Sequence, residues 1–128
     1  MIEVGKNRFS VDTTWDGVVI MKYLDGINGG VSLDLTGFED EYIRAGHVIV
    51  KTDQGKFKPA VIADGVYSPL SIGEKAIGVV RATHRPKYEG TAVMTRGKVN
   101  EKAYKNWTEV DYSAEIKEAL SLIEFSED

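Results

Sequence analysis

Glycine, aspartate and asparagine cut this chain into short apolar runs, and that punctuation limits what it can fold into. Residues 18–24 (VVIMKYL) lie between Asp16-Gly17 and Asp25-Gly26, which predicts a strand held between two turns. The following GINGGVSLDLTG brings Gly26, Asn28, Gly29 and Gly30 ahead of an alternating Val31, Leu33 and Leu35, a glycine-rich lead into a half-buried strand. HVIVKT (47–52), the turn signal Asp53-Gln54-Gly55 and KFKPAVI (56–62) read as a hairpin. Pro59 belongs at an edge or bulge of that hairpin, because it has no N–H to give a ladder. AIGVVRA (76–82) is a continuous apolar strand in which Gly78 marks a bulge or a close backbone approach. TAVMT (91–95) is a further strand, after which Arg96-Gly97 is expected to bend the chain into KVN.

Helical signals are fewer. Thr36-x-x-Glu39 has capping-box spacing and predicts one helical turn within FEDEYIRAG, closed by Gly46. Asn100 is placed to cap EKAYKNW. Ser113 is placed to cap a helix over 114–125, where Ile116, Ala119, Leu120 and Ile123 share a face. Strands first and a helix last make the fold class mainly β with short helices (α+β). One domain over 1–128 is expected, with a glycine-rich N-terminal arm or docking segment (1–35), a β-rich body (36–108) and an acidic C-terminal helix (109–128).

At 128 residues the chain can bury one hydrophobic core without staples. It has no cysteine, which excludes disulfides, thiolate metal sites and cysteine nucleophiles. No stretch approaches the roughly 18 apolar residues of a membrane span. MIEVGKNRFSVD has no signal-peptide apolar core, so the protein is expected to stay where it is made.

The net charge of −4 conceals an asymmetry. Residues 109–128 carry seven acids against Lys117, a net of −6, which leaves +2 for residues 1–108. Within the latter, residues 81–105 hold seven bases against Glu89 and Glu101. Such a stretch can dock an acidic partner, or can simply be a solvated face with internal charge pairing. A pI near 5.2 argues against a dedicated nucleic-acid binder.

The residues that could carry chemistry do not form a known constellation. Gly90 and Gly97 hint at a phosphate loop, but six residues separate them where four are required. Val99 also stands where Ser or Thr should hold magnesium. His47 and His84 lie in different segments, with no second histidine at metal spacing. Glu39, Asp40 and Glu41 are consecutive, outside any calcium-loop pattern. Ser32 has no nucleophile elbow around it. Trp15, Tyr23, Trp107 and Tyr112 are not interleaved with bases as on a stacking platform. The expectation is a non-enzymatic domain with no catalytic, cofactor-binding or metal residues.

Four segments taken in order carry a resemblance: YIRAGHVIV (42–50), GKFKP (55–59), KAIGVVRA (75–82) and AVMTRGKVN (92–100). Together they resemble the head decoration (capsid cement) proteins of tailed phages, the lambda type and its relatives, including head fibre proteins. The likeness covers roughly residues 42–107. It implies a compact, small β-barrel-like domain that binds the outer surface of a phage capsid as a homotrimer and stabilises the expanded shell. It implies no catalysis and no cofactor. The partners implied are the major capsid protein, further copies of the chain, and a head fibre or other virion protein, with neither nucleic acid nor membrane. The location implied is the virion, after synthesis in the host cytoplasm.

For such a protein, Trp15, Val31, Leu33 and Leu35 are the docking candidates of the arm. The segment VSLDL could add a strand to an exposed capsid sheet edge. The bases Arg96 and Lys98 complete the expected interface, and three arms per trimer would act together by effective concentration. Deleting residues 1–30 should then abolish docking and leave a folded body. Two other classes compete. One is a small enzyme or cofactor-binding barrel using His47, His84 and Arg96. The other is a surface-displayed glycan-binding module with an exposed shelf at Trp15 or Trp107.

Overall fold

In the computed structural model, which describes residues 14–27 and 29–126, one sheet dominates. A short helix α1 (Asp16–Val19) runs into β1 (Ile20–Gly26). Then come β2 (Val48–Lys51), β3 (Phe57–Pro59), the small pair β4 (Ile62–Ala63) and β5 (Val66–Tyr67), β6 (Lys75–Val80) and β7 (Val93–Asn100). Helices α2 (Glu101–Thr108) and α3 (Ala114–Ala119) follow, and β8 (Ile123–Ser126) comes last. The strand order is β1-β7-β6-β2-β3, antiparallel throughout, with β8 parallel to β7; β4 and β5 pair separately. The sheet is open, with β1 and β3 at its two ends, so the barrel-like closure expected from the resemblance is absent from the described residues. The mainly β character with short helices stands.

The central strands are apolar because both faces of the sheet are covered. Val48, Val50, Val79, Met94 and Val99 point into one core with Tyr67, Tyr104, Tyr112, Ile116 and Ile123. Their neighbours Ile49, Val80 and Val93 join Ile43 in a second core on the other face. That second core is roofed by Ile27, Val31, Leu33 and Phe38.

Several expectations hold in detail. Thr52 and Lys56 close the β2–β3 hairpin, with Gly55 at φ +83°. Pro59 lies on the edge strand β3, opposite Ile49. Gly78 sits beside a register shift, and a Cβ there would collide with the Met94 carbonyl of β7. Asn100 Oδ1 accepts from Ala103 N at 2.9 Å, and Ser113 Oγ accepts from Ile116 N at 3.3 Å.

Others are overturned. The helix after Ser113 stops at Ala119, and the chain re-enters the sheet as β8. Ile123 and Phe125 lie opposite Gly97 and Val99 on the core face, while Glu124 points outward beside Lys98. β7 explains this: β6 covers only its Val93–Met94 end on that side, leaving 97–100 open to β8. Arg96-Gly97 makes no bend. Gly97 stays inside β7 because β1 presses on it, so that a Cβ would strike the Lys22 carbonyl. FEDEYIRAG forms no helical turn. The Thr36 hydroxyl donates to Asp34 Oδ1 at 2.8 Å instead of capping a helix, and Ile43 bridges to His84. Val18 and Val19 are helical, not strand.

The arm is also corrected where it is described. Val19 is fully buried, β1 pairs along β7, Val31 bridges Thr91 and Leu33 bridges Phe57. Asp16 fastens this segment: its carboxylate accepts from Thr83 N at 2.9 Å and Thr83 Oγ1 at 2.6 Å. Thr83 Oγ1 in turn accepts from Ala45 N at 3.0 Å. The described residues of 16–35 pack against the body through these contacts.

Candidate functional site

The six residues expected to dock do not converge. Trp15 stacks on Trp107 of α2, ring centroids 6.2 Å apart and 8° from parallel, with the Arg44 guanidinium 5.6 Å from the Trp107 ring. Each indole covers the other, so the pair is an inter-helix contact and not the open shelf a sugar would need. Val31 and Leu33 face the second core. Leu35 is half-buried in a groove with Pro86, Lys87 and Tyr88. Only Arg96 and Lys98 share a surface.

That surface is the outer face of the β1–β7–β8 ribbon. Register sets which side chains reach it. Val99 points to the core, so Lys98 beside it points out; Arg96 is exposed, and Lys22 and Asp25 lie opposite Lys98 and Arg96 on β1. Glu124 joins from β8, its carboxylate 4.0 Å from Lys98 Nζ. Lys22, Arg96 and Lys98 thus outnumber Asp25 and Glu124. Two register shifts in β1 leave Met21 and Leu24 without opposite partners. They are 37% (Met21) and 55% (Leu24) exposed, and Val18 of α1, just ahead of the strand, is 47% exposed. The spacing of bulges explains why a strand that reads as apolar is exposed along most of its length. Lys22, the one charge inside VVIMKYL, was the available sign that this run is an edge.

The basic stretch and the acidic tail do pair in part. Lys105 meets Asp111 at 2.8 Å, Lys98 meets Glu124, and Lys117 of the tail turns back to Glu101 at 3.1 Å.

The titratable groups inside the body are held for structure. The Tyr67 and Tyr104 hydroxyls lie 2.6 Å apart, Tyr67 Oη accepts from Val48 N, and the Tyr112 hydroxyl donates to the Gly46 carbonyl at 2.6 Å. Burial pushes the Tyr104 phenol up to about 12 and raises Tyr67 and Tyr112 well above the usual range. These phenols are neutral at physiological pH. His84 donates from Nδ1 to the Ala82 carbonyl at 2.8 Å and accepts at Nε2 from the Thr91 hydroxyl at 2.9 Å. His47 is only 8% exposed and donates from Nε2 to the Ala60 carbonyl at 3.1 Å. It lies edge-on to Phe38 and Tyr67, and neither His84 nor Arg96 is among its hydrogen-bond or ring partners. Among the described residues no three His, Asp or Glu side chains come together as a metal site. No helix of the described residues is long and apolar enough to cross a membrane.

Comparison with family models, with curated proteins and with solved structures gives no match.

Proposed function

We propose that this chain is a structural virion protein of the capsid-decoration type, binding the outer surface of a phage head and stabilising the expanded shell as a trimer. The reading rests on the ordered likeness of four segments to that family. The observation that carries it in three dimensions is the outer face of the β1–β7–β8 ribbon. There Lys22, Arg96 and Lys98 share the β1–β7 pair with the exposed Met21 and Leu24 of β1. An excess of bases beside exposed aliphatic side chains suits an acidic protein surface, with charge setting register and the aliphatic side chains supplying burial. Docking shifts accordingly from Val31 and Leu33, which are committed to the core, to this face.

Co-sedimentation with expanded heads of the phage that encodes the protein tests the reading. The wild-type chain should pellet with the heads at three copies per three-fold position. The variant carrying Lys22→Glu and Arg96→Glu should stay in the supernatant. Failure of the wild type to pellet would overturn decoration, and undiminished pelleting of the variant would overturn this docking face.

A further inference from the structure

Three Asp-Gly pairs occur in the chain, at 16–17, 25–26 and 64–65. Glycine after aspartate favours succinimide formation, because no Cβ crowds its nitrogen as it approaches the preceding carboxyl group. The fold treats the three pairs differently.

Asp16 is locked. Its two carboxylate oxygens accept from Thr83 at 2.9 Å and 2.6 Å, which commits the group to another segment. Asp64 stands in the turn between β4 and β5 at φ +55°, and no hydrogen bond joins Gly65 N to its carboxylate.

Asp25 differs on three counts. Gly26 N donates to Asp25 Oδ1 at 2.8 Å, so the nitrogen already touches the carboxyl group it would attack. Asp25 is exposed, and its carboxylate has no other hydrogen-bond or ion-pair partner among the described residues. It can therefore swing above the plane of the Gly26 amide, where the reacting electrons lie. Register shifts on both sides of Asp25 also interrupt its ladder to β7, which leaves the backbone there less tightly held. Packing keeps the pair in place. A Cβ on residue 26 would collide with the Tyr23 hydroxyl and the Val93 carbonyl, so the strand requires the very glycine that makes the reaction easy.

We infer that Asp25-Gly26 is a modification site of the folded chain, where aspartate converts through a succinimide to isoaspartate with water as the only co-reactant. Gly26 N bonds to Asp25 Cγ as the amide proton and the carboxyl hydroxyl leave together as water. Water then adds at the Asp25 main-chain carbonyl, which breaks the old peptide bond and leaves Gly26 attached through Cγ. Addition at Cγ instead restores aspartate. The isoaspartate keeps the charge and carries one more methylene in the main chain. That extra length falls just before Gly26, opposite Met94, and before Ile27, whose N donates to the Val93 carbonyl at 3.0 Å. The Ile27 side chain helps to roof the second core, so the lesion reaches beyond the strand end. The site stands whether or not the chain decorates a capsid.

The test holds the full chain folded at mildly acidic pH, digests it at intervals and maps it by mass spectrometry, with electron-transfer fragmentation to tell the two linkages apart. Succinimide, lighter by one water, and isoaspartate should accumulate at Asp25 several-fold faster than at Asp16 or Asp64. In the urea-unfolded chain, where each aspartate is simply followed by glycine, the rates should converge. Asn28-Gly29 close by would lose ammonia instead, so its products differ in mass. Asp25→Glu keeps the charge but would need a larger, slower-closing ring, and should abolish the product at this position. Reaction at Asp25 no faster than at either other pair in the folded chain, or a preference for Asp25 that persists unchanged in urea, would overturn the assignment.

Discussion

Lys22 of β1 stands directly opposite Lys98 of β7, two like charges facing each other across an antiparallel pair. Glu124 relieves one of them at 4.0 Å from Lys98, and Lys22 has no carboxylate partner among the described residues. Such a pair is mildly destabilising. Lys22→Glu would convert it to an opposite-charge pair and bring an acid near Arg96. A gain of about 0.2–1 kcal/mol in urea denaturation is expected, small because the site is open to solvent. The same substitution is expected to weaken capsid docking. A variant that is more stable yet docks less would locate the role of Lys22 in binding. Unchanged or lower stability would show that the two ammonium groups are already far enough apart in water.

Where the sequence could be read, local signals and tertiary demands agreed. Asn100 and Ser113 cap helices because their side-chain oxygens reach N–H groups three residues on, a bond that needs no other part of the chain. Pro59 and Gly78 were legible for similar reasons, one lacking a donor and the other a side chain. The segment from Ala119 to Phe125 was not. Its apolar residues fit a 3.6-residue period and, from Ile123, a period of two equally well, and only the uncovered half of β7 decides between them. The ribbon face was half legible. Arg96 and Lys98 could be picked out as bases, but only the register of β1 against β7 adds Lys22 and shows that Val31 and Leu33 are spent on the core.

Asp16 decides whether the segment before β1 behaves as an arm or as part of the body. Both carboxylate oxygens accept from Thr83, whose hydroxyl then receives Ala45 N. Asp16→Ala removes two charge-assisted bonds and leaves Thr83 N without its acceptor. A loss of about 2–3 kcal/mol in denaturant unfolding is expected, roughly the worth of hydrogen bonds to a charged group. Deletion of residues 1–26 removes Val19 and β1 as well, and should yield a chain without a cooperative transition. A cooperative transition in that truncation would restore the arm.

The tyrosine pair gives an asymmetric prediction. Tyr67 Oη serves two groups, Tyr104 Oη at 2.6 Å and Val48 N at 3.2 Å, whereas Tyr104 Oη is bonded to Tyr67. Tyr104→Phe breaks one bond and leaves Tyr67 still paired with Val48, a loss of about 1 kcal/mol. Tyr67→Phe strands both a buried N–H and a buried hydroxyl, a loss of about 2–3 kcal/mol. The double variant should cost less than the sum, because Tyr104→Phe removes one of the stranded groups. Equal single losses, or strict additivity, would mean that the 2.6 Å contact contributes little.

Acid should unfold this protein partly through His47. Desolvation holds the ring near 4, against 6.5 for an exposed imidazole, with the Ala60 bond and the charge of Asp40 opposing the shift only in part. A histidine whose folded pKa is depressed binds fewer protons folded than unfolded between those two values. Its stabilising contribution is therefore complete above about pH 6.5 and is lost as pH falls through that window toward 4. At 1.36 kcal/mol per pKa unit the loss amounts to about 3 kcal/mol. Urea unfolding at intervals from pH 7.5 to 4.5 should show stability falling with acid. The His47 Cε1–H resonance should titrate with a midpoint near 4 where the fold persists. Stability independent of pH across that range, or a His47 midpoint near 6.5, would mean that water reaches the ring far more freely than its burial allows.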